Sequence, residues 1–166
     1  RDPLPPEPPD PARDARAAAE RAAASARLER LRALGRPVRV ALVGCGKSKL
    51  PGEHPARQLY TGALTRLALT YGERIADEAW ILSALYGLLH PDRLVESYDK
   101  RLSTRSDERQ CWQQGVRTSI HNAYPGLPLH LIVLAGRDYA AAITSYDSSW
   151  SAEFPLEGLQ LGHRLS

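Results

Sequence analysis

Val38-Arg-Val-Ala-Leu-Val-Gly-Cys-Gly-Lys-Ser-Lys49 is the stretch of sequence that decides the fold. Its first half is a short apolar run rich in β-branched residues, which is typical of a buried strand. Its second half is a polar loop with a thiol and two ammonium groups. Ligands of α/β proteins bind at the carboxyl ends of strands, because the backbone turns there and leaves a crevice. The stretch therefore predicts a strand whose following loop binds an anionic or highly polar ligand, with phosphate as the first candidate.

Strand-like and helix-like segments alternate along the rest of the chain. This alternation predicts an α/β fold with a mainly parallel sheet flanked by helices. The segments are apolar runs at residues 79–84 and 129–135, and stretches of helical spacing at residues 60–71 and 106–123.

Local signals suggest where these helices begin and end. Gly72 is expected to end the first helix, and Ser106 is a plausible N-cap for the second. A further helix is predicted to begin near Asp138. Residues 85–103, which contain glycine, proline and aspartate, read as a long structured loop.

The first 36 residues differ from the rest and predict a separate segment, leaving residues 37–166 as the α/β domain. Residues 1–11 hold six prolines, which favours an extended or disordered stretch. Residues 12–35 are rich in alanine and arginine, and they predict a helix that ends at Gly35. We interpret this as a solvated linker helix; the alternative is an arm that lies on a partner or on nucleic acid.

Composition excludes several classes of protein. No apolar run is long enough to span a bilayer, and the chain has no secretory apolar region at its start, so we expect no membrane association. The two cysteines, Cys45 and Cys111, are expected to be free thiols in a reducing cytoplasm. The five histidines are scattered and there is no Cys-x-x-Cys, so we predict neither a metal nor another cofactor.

Charge does not by itself identify a nucleic-acid partner, although the formal net charge is +3. Residues 1–36 hold eight basic and six acidic residues, and residues 37–166 hold 14 basic and 13 acidic residues. A nearly neutral domain lacks the broad basic surface of a duplex-binding protein. Nucleic acid stays possible as a partner on this ground, but charge alone does not predict it.

The three turns that follow the predicted strands are expected to meet at one edge of a parallel sheet. This edge would collect residues that suit an anionic ligand with an aromatic base. They are Cys45, Lys47, Ser48, Lys49, Ser83, Tyr86, Arg137 and Tyr139.

Individual residues at this edge suggest particular chemistry. Gly46-Lys-Ser resembles the end of a phosphate-binding P-loop, but Pro51 and Gly52 break the helix that a P-loop requires, so we expect at most a looser phosphate nest. Cys45 is a possible nucleophile, or simply a small buried residue. Tyr86 could stack on a base, or cover the sheet end.

Asp99 lies between polar neighbours in the predicted loop. It is the best single candidate for a general base or for holding a sugar hydroxyl, although loop aspartates more often cap turns.

Six blocks of sequence resemble a bacterial and phage domain family of unassigned function. The blocks are Cys45-Gly-Lys-Ser-Lys, Leu59-Tyr-Thr-Gly, Leu82-Ser-Ala-Leu-Tyr-Gly-Leu-Leu-His-Pro, Tyr98-Asp99, Leu134-Ala-Gly-Arg-Asp-Tyr and Pro155-Leu-Glu-Gly-Leu. That family is distantly similar to the YaaA peroxide-stress proteins, which share the Leu-Ser-x-Leu-Tyr-Gly-Leu-Leu core. The resemblance implies an α/β domain and a link to DNA, and it adds Tyr60, Tyr98, Glu157 and Arg164 to the candidate site.

The sequence leads to the hypothesis of an enzyme that acts on a nucleoside, nucleotide or nucleic-acid base by N-glycosidic cleavage or base exchange. Tyr60 and Tyr86 would form the wall for the base, and Asp99 or Glu157 would supply the carboxylate. Lys47, Lys49 and Arg164 would hold phosphate. The alternatives are a non-catalytic DNA-binding module of YaaA type and a ligand-sensing domain of a larger protein.

Overall fold

The apolar run that begins at Val38 is the central strand of a five-stranded sheet. The computed structural model describes residues 8–143 and 149–156. Strand β1 (Val38–Gly44) is hydrogen-bonded in parallel to β3 (Glu78–Ser83) on one side and to β6 (Leu129–Leu134) on the other. The sheet is completed by β4 (Gly87–Leu89), antiparallel to β3, and β7 (Trp150–Glu153), parallel to β6. The predicted mainly parallel α/β fold is confirmed.

Strand β1 is central because both of its faces are apolar. Val40, Ala41, Leu42 and Val43 are all 0% exposed. A parallel strand covered on both faces needs such a continuous apolar run, whereas a half-exposed strand would alternate with polar residues.

Two longer helices connect the parallel strands. Helix α3 (Ala63–Ile75) lies between β1 and β3 in the chain, and α4 (Ser106–Ala123) lies before β6. Gly72 does not end α3, as the sequence predicted, but lies buried within it against Ala41 of β1. The glycine therefore allows close helix–strand packing. Ser106 is the first helical residue of α4 and not its N-cap. Arg105 occupies the N-cap position, and its side chain makes no capping hydrogen bond.

Short elements occupy much of what the sequence suggested was loop. Strand β2 (Glu53–Pro55) pairs antiparallel with β5 (Leu94–Glu96), and α2 (Ala56–Leu59) follows β2 directly. Both β4 and β5 lie within residues 85–103, so the prediction of a continuous loop there is wrong. Three-residue strands are too short to show a periodicity. Helix α5 (Arg137–Ala140) begins one residue before the predicted Asp138 and continues into a single 3₁₀ turn.

The chain divides into two units, residues 1–35 and 36–166. In the first unit, α1 (Pro11–Arg32) begins after Asp10, whose carboxylate accepts hydrogen bonds from the N–H groups of Ala12 and Arg13. Gly35 has a φ of +66°, which suits glycine beyond a helix end. In the described part of the chain, no helix is both long and apolar enough to cross a bilayer.

The close packing of α3 gives a stability prediction. A Cβ at Gly72 would lie 2.8 Å from the Cβ of Ala41, so Gly72→Ala is expected to lower the free energy of unfolding by about 1–3 kcal/mol. Gly115→Ala is the matched control, because a Cβ at this α4 position has nothing within 4 Å. It should raise stability by about 0.5–1 kcal/mol through helix propensity. Urea unfolding measures both; equal effects would contradict the packing argument.

Candidate functional site

The carboxyl ends of the three central parallel strands lie side by side. Gly44 pairs with Leu82 of β3, and Val43 pairs with Leu134 of β6. The N–H of Cys45 donates to the carbonyl of Leu82 at 3.0 Å, which extends the pairing into the loop. The chain leaves β1 toward β3 and later crosses to β6 on the other side, so the loops after β1 and β6 flank a topological switch point. This is where open α/β sheets bind ligands.

A cleft of about 330 Å³ opens at this switch point. The loop after β1 forms one wall, the segment after Tyr98 a second, and the start of α5 a third. The lining residues are Cys45, Gly46, Lys47, Lys49, Asp99, Lys100, Arg101, Leu102, Asp138 and Tyr139. Four cations and two carboxylates therefore face a space at the lower end of the range of about 300–1,000 Å³ for small-molecule sites.

The cleft contains every lysine of the chain. The protein has 22 basic residues, of which only Lys47, Lys49 and Lys100 are lysines. Sequence reasoning identified the first two and missed Lys100, with its neighbours Arg101 and Leu102. Because lysine is so rare in this chain, the third lysine was a signal in the sequence that could have identified Lys100.

The loop after β1 is fixed by backbone pairing with the segment after α2. The N–H of Leu50 donates to the carbonyl of Leu59 at 2.9 Å, and the N–H of Thr61 donates to the carbonyl of Ser48 at 3.0 Å. A Cβ at Gly46 would lie 2.7 Å from Oγ1 of Thr65 in α3, so this position requires glycine. The loop is thus held against α3 and presents its lysines toward the cleft.

Cys45 and Tyr139 meet across the switch point. The thiol of Cys45 donates a hydrogen bond to the hydroxyl of Tyr139 at 3.3 Å. The ring of Tyr139 packs edge-to-face on Trp112 of α4, with ring centroids 5.4 Å apart. Burial raises the pKa of Tyr139 well above its ordinary value, and the bond from Cys45 raises it further. The bond between Cys45 and Tyr139 thus joins the loop after β1 to α5 within the cleft lining.

A chain of hydroxyl groups, which we call the hydroxyl network, runs beneath the cleft through Ser83, Tyr98 and Tyr60. The hydroxyl of Tyr98 lies 2.8 Å from Oγ of Ser83 and 2.8 Å from the hydroxyl of Tyr60. Oγ of Ser83 also accepts from the N–H groups of Leu85 and Tyr86. Burial raises the pKa values of Tyr60 and Tyr98, so both stay protonated at neutral pH.

Two tyrosines predicted to form a wall for a base lie outside the cleft lining. Tyr60 is 1% exposed, so it lies beneath the cleft and presents no face to a ligand. The hydroxyl of Tyr86 donates to the carbonyl of Glu96, and its ring packs edge-to-face on Tyr98. Among the described residues, the aromatic side chain that lines the cleft is Tyr139.

Arg109 joins two walls of the cleft. Its Nε donates to the carbonyl of Ser103 at 2.9 Å, and its Nη1 lies 3.4 Å from the carboxylate of Asp138. Arg109 therefore holds the end of the segment that carries Asp99, Lys100 and Arg101 close to α5.

Two further predicted site residues do not line the cleft. Ser48 and Arg137 are exposed at the same edge of the sheet. Glu157 and Arg164 lie outside the described residues. Within residues 8–143 and 149–156, no group of three or more His, Cys, Asp or Glu side chains is placed to hold a metal ion.

The buried Ser83 gives the second prediction. Ser83→Ala removes a partner of the Tyr98 hydroxyl and leaves two N–H groups without their acceptor, which is expected to lower the free energy of unfolding by about 1–3 kcal/mol. Ser106→Ala at the exposed start of α4 should change it by less than about 0.5 kcal/mol. Thermal or urea unfolding of the two variants measures both changes in the free energy of unfolding. A loss for Ser83→Ala no larger than that for Ser106→Ala would show that the hydroxyl network does not stabilise the fold.

The tyrosine pKa values predict a loss of stability at high pH. The unfolded chain releases tyrosine protons near pH 10, whereas native Tyr98 and Tyr139 keep theirs. Above pH 10 the native state then binds more protons than the unfolded state, so stability falls by up to about 1.4 kcal/mol per pH unit for each group. The urea midpoint between pH 8 and 11 measures this. Tyr98→Phe should make the fall shallower, and an unchanged slope would count against the assignment.

Comparison with known proteins identifies the family of the chain. A family model described as a family of unknown function, DUF6884, matches residues 40–166. No curated protein matches the chain. The resemblance to an unassigned family is therefore confirmed, while the match carries no link to the YaaA proteins.

Proposed function

We propose that this chain, which belongs to the family of unknown function DUF6884, is an enzyme that binds a nucleotide in the switch-point cleft and cleaves or exchanges its N-glycosidic bond. The observation that carries the proposal is the convergence of all three lysines of the chain on this one cleft.

The cations support phosphate as the part of the ligand that is bound first. Lys47, Lys100 and Arg101 are exposed at the mouth of the cleft, and Lys49 is partly buried. Ammonium and guanidinium groups donate charge-assisted hydrogen bonds to phosphate oxygens. Asp138, one of the two cleft carboxylates, is paired with Arg109, which does not itself line the cleft. The positive charges of the lining therefore exceed the negative charges that remain unpaired. The cleft therefore favours a dianionic or more highly charged ligand.

The side chains of Tyr139 and Cys45 suit the base of a nucleotide. Tyr139 offers its ring and hydroxyl, and the thiol of Cys45 is already engaged as a donor to that hydroxyl. Aromatic rings stack on bases with little sequence preference. We therefore assign Tyr139 and Cys45 to the base and not to covalent chemistry.

Asp99 is the residue to which we assign the chemical step. It lines the cleft on the wall formed by the segment after Tyr98 and is exposed to solvent. In hydrolysis, water oxygen forms a bond to C1′ of the sugar while the electron pair of the C1′–N bond leaves with the base. Asp99 would accept the proton lost by the water, and the leaving base nitrogen would take a proton from solvent. A carboxylate next to C1′ also stabilises the cationic character of the sugar in the transition state.

The alternatives predict different behaviour of the same cleft. A ligand-sensing domain would bind the nucleotide and leave it intact. A DNA-binding module of YaaA type would bind duplex DNA with an affinity that falls steeply with salt. The small volume of the cleft and its two carboxylates favour a mononucleotide over a duplex.

Turnover of a nucleoside and nucleotide panel tests the proposal. We expect free base, measured by liquid chromatography, from at least one nucleotide, and a preference for the nucleotide over its nucleoside. Asp99→Asn should lower kcat at least about 100-fold, because asparagine keeps the shape of the side chain but cannot accept the proton from water. Asp107→Asn is the matched control, since Asp107 is an exposed aspartate of α4 outside the cleft.

Each alternative result has a distinct meaning. Binding without base release would support ligand sensing, and binding of duplex DNA alone would support the DNA-binding module. Lys47→Ala and Lys100→Ala should raise KM for a nucleotide more than for its nucleoside. Equal effects on both substrates would refute phosphate recognition by these lysines.

A further inference from the structure

We propose that Tyr98 is a positioning residue of the cleft, whose ring holds the ammonium group of Lys49 in place for an anionic ligand and whose hydroxyl anchors that ring to the hydroxyl network. The effect on ligand binding rests on the proposed function. The placement of Lys49 does not, and it can be measured without a ligand.

The first step is the contact between Lys49 and the tyrosine rings. Nζ of Lys49 lies 4.3 Å from the ring centroid of Tyr98 and 5.7 Å from that of Tyr60. A cation over the face of an aromatic ring is attracted by the ring quadrupole. Nζ also donates to the carbonyl of Lys47 at 3.3 Å. Among the described residues, the ammonium group is thus held from two sides and keeps a further N–H donor for a ligand.

The second step is the anchoring of the Tyr98 ring. Its hydroxyl reaches down to Ser83, which is 0% exposed, and to Tyr60, which is 1% exposed. The rings of Tyr60 and Tyr86 pack edge-to-face against it, with centroids 6.5 Å and 5.5 Å away. The ring is therefore constrained by hydrogen bonds at its tip and by packing at its sides.

The third step is the position of Tyr98 in the chain. The next residue is Asp99, the cleft carboxylate, and Lys100 follows it. One half-buried side chain, that of Tyr98, thus fixes the Lys49 ammonium through its ring and the backbone that carries Asp99 through its own chain position. Groups held in the bound geometry lose less conformational entropy when a ligand binds, which increases affinity.

Lysine-selective NMR tests the placement directly. Protein grown with ¹³C-lysine should give three ε-methylene signals, one for each lysine of the chain. We expect the Lys49 signal, assigned from Lys49→Arg, to be shifted upfield by the ring current of Tyr98. Tyr98→Leu should abolish the shift, and Tyr98→Phe and Ser83→Ala should reduce it. Tyr71→Leu is the matched control, because Tyr71 is 51% exposed on α3.

Titration of the same samples with inorganic phosphate tests the consequence. We expect all three lysine signals to move in the wild type, and Tyr98→Leu to raise the dissociation constant about five-fold. Measuring the dissociation constant at low temperature, on variants shown to be folded, separates weaker phosphate binding from lost stability. If Tyr98→Leu does not fold, Ser83→Ala is measured in its place. A Lys49 signal without an upfield shift in the wild type overturns the inference. So does a phosphate affinity that Tyr98→Leu leaves unchanged. A wild type that shows the upfield shift but binds neither phosphate nor nucleotide overturns the proposed function, and supports the placement of Lys49 by Tyr98.

Discussion

Parallel hydrogen bonding on both edges of Val38–Gly44 places the segments after β1 and β6 side by side, and these segments carry Lys47, Lys49 and Tyr139. The register aligns the carboxyl end of this strand with those of Glu78–Ser83 and Leu129–Leu134. A slip of one residue would exchange the two faces of a strand, and since both faces of β1 are buried, side chains of different size would then meet the wrong neighbours. The bond from the N–H of Cys45 to the carbonyl of Leu82 carries the alignment into the loop. The cleft is therefore a consequence of the sheet and not of the loops alone.

A polar cleft above an apolar core needs a layer between them in which every polar group has a partner. The hydroxyl network of Ser83, Tyr98 and Tyr60 is that layer: its rings pack with the core, and its hydroxyls bond to one another. In the described residues, no buried side-chain nitrogen or oxygen lacks a hydrogen-bond partner. Unsatisfied groups here would each cost about 1–3 kcal/mol, so a complete network adds to the stability of this edge of the sheet.

The sequence was informative where segments were long and apolar, and much less so where contacts join distant residues. The three central strands and their common edge follow from periodicity, because each is a run of six or seven residues. Strands β2, β4 and β5 have three residues each, which is too few to show alternation. Gly72 was misread because a glycine that ends a helix and one that packs against a strand look the same in sequence. The burial of Tyr60 and the pairing of Arg109 with Asp138 depend on folding and left no local signal.

The choice of lysine over arginine at the cleft bears on the kind of ligand it suits. Arginine accounts for 19 of the 22 basic residues of the chain. It also forms the ion pairs of Arg36 with Asp77 and of Arg57 with Asp92. Arginine offers a rigid fork that fixes one bidentate geometry, whereas an ammonium group is a compact charge with three donors on a flexible stem. An ammonium group can therefore hold a phosphate in more than one orientation. One of the three, Lys49, is nevertheless held against the ring of Tyr98, whereas Lys47 and Lys100 are exposed. Lys49 can therefore hold an anion in one position while Lys47 and Lys100 adjust to its orientation.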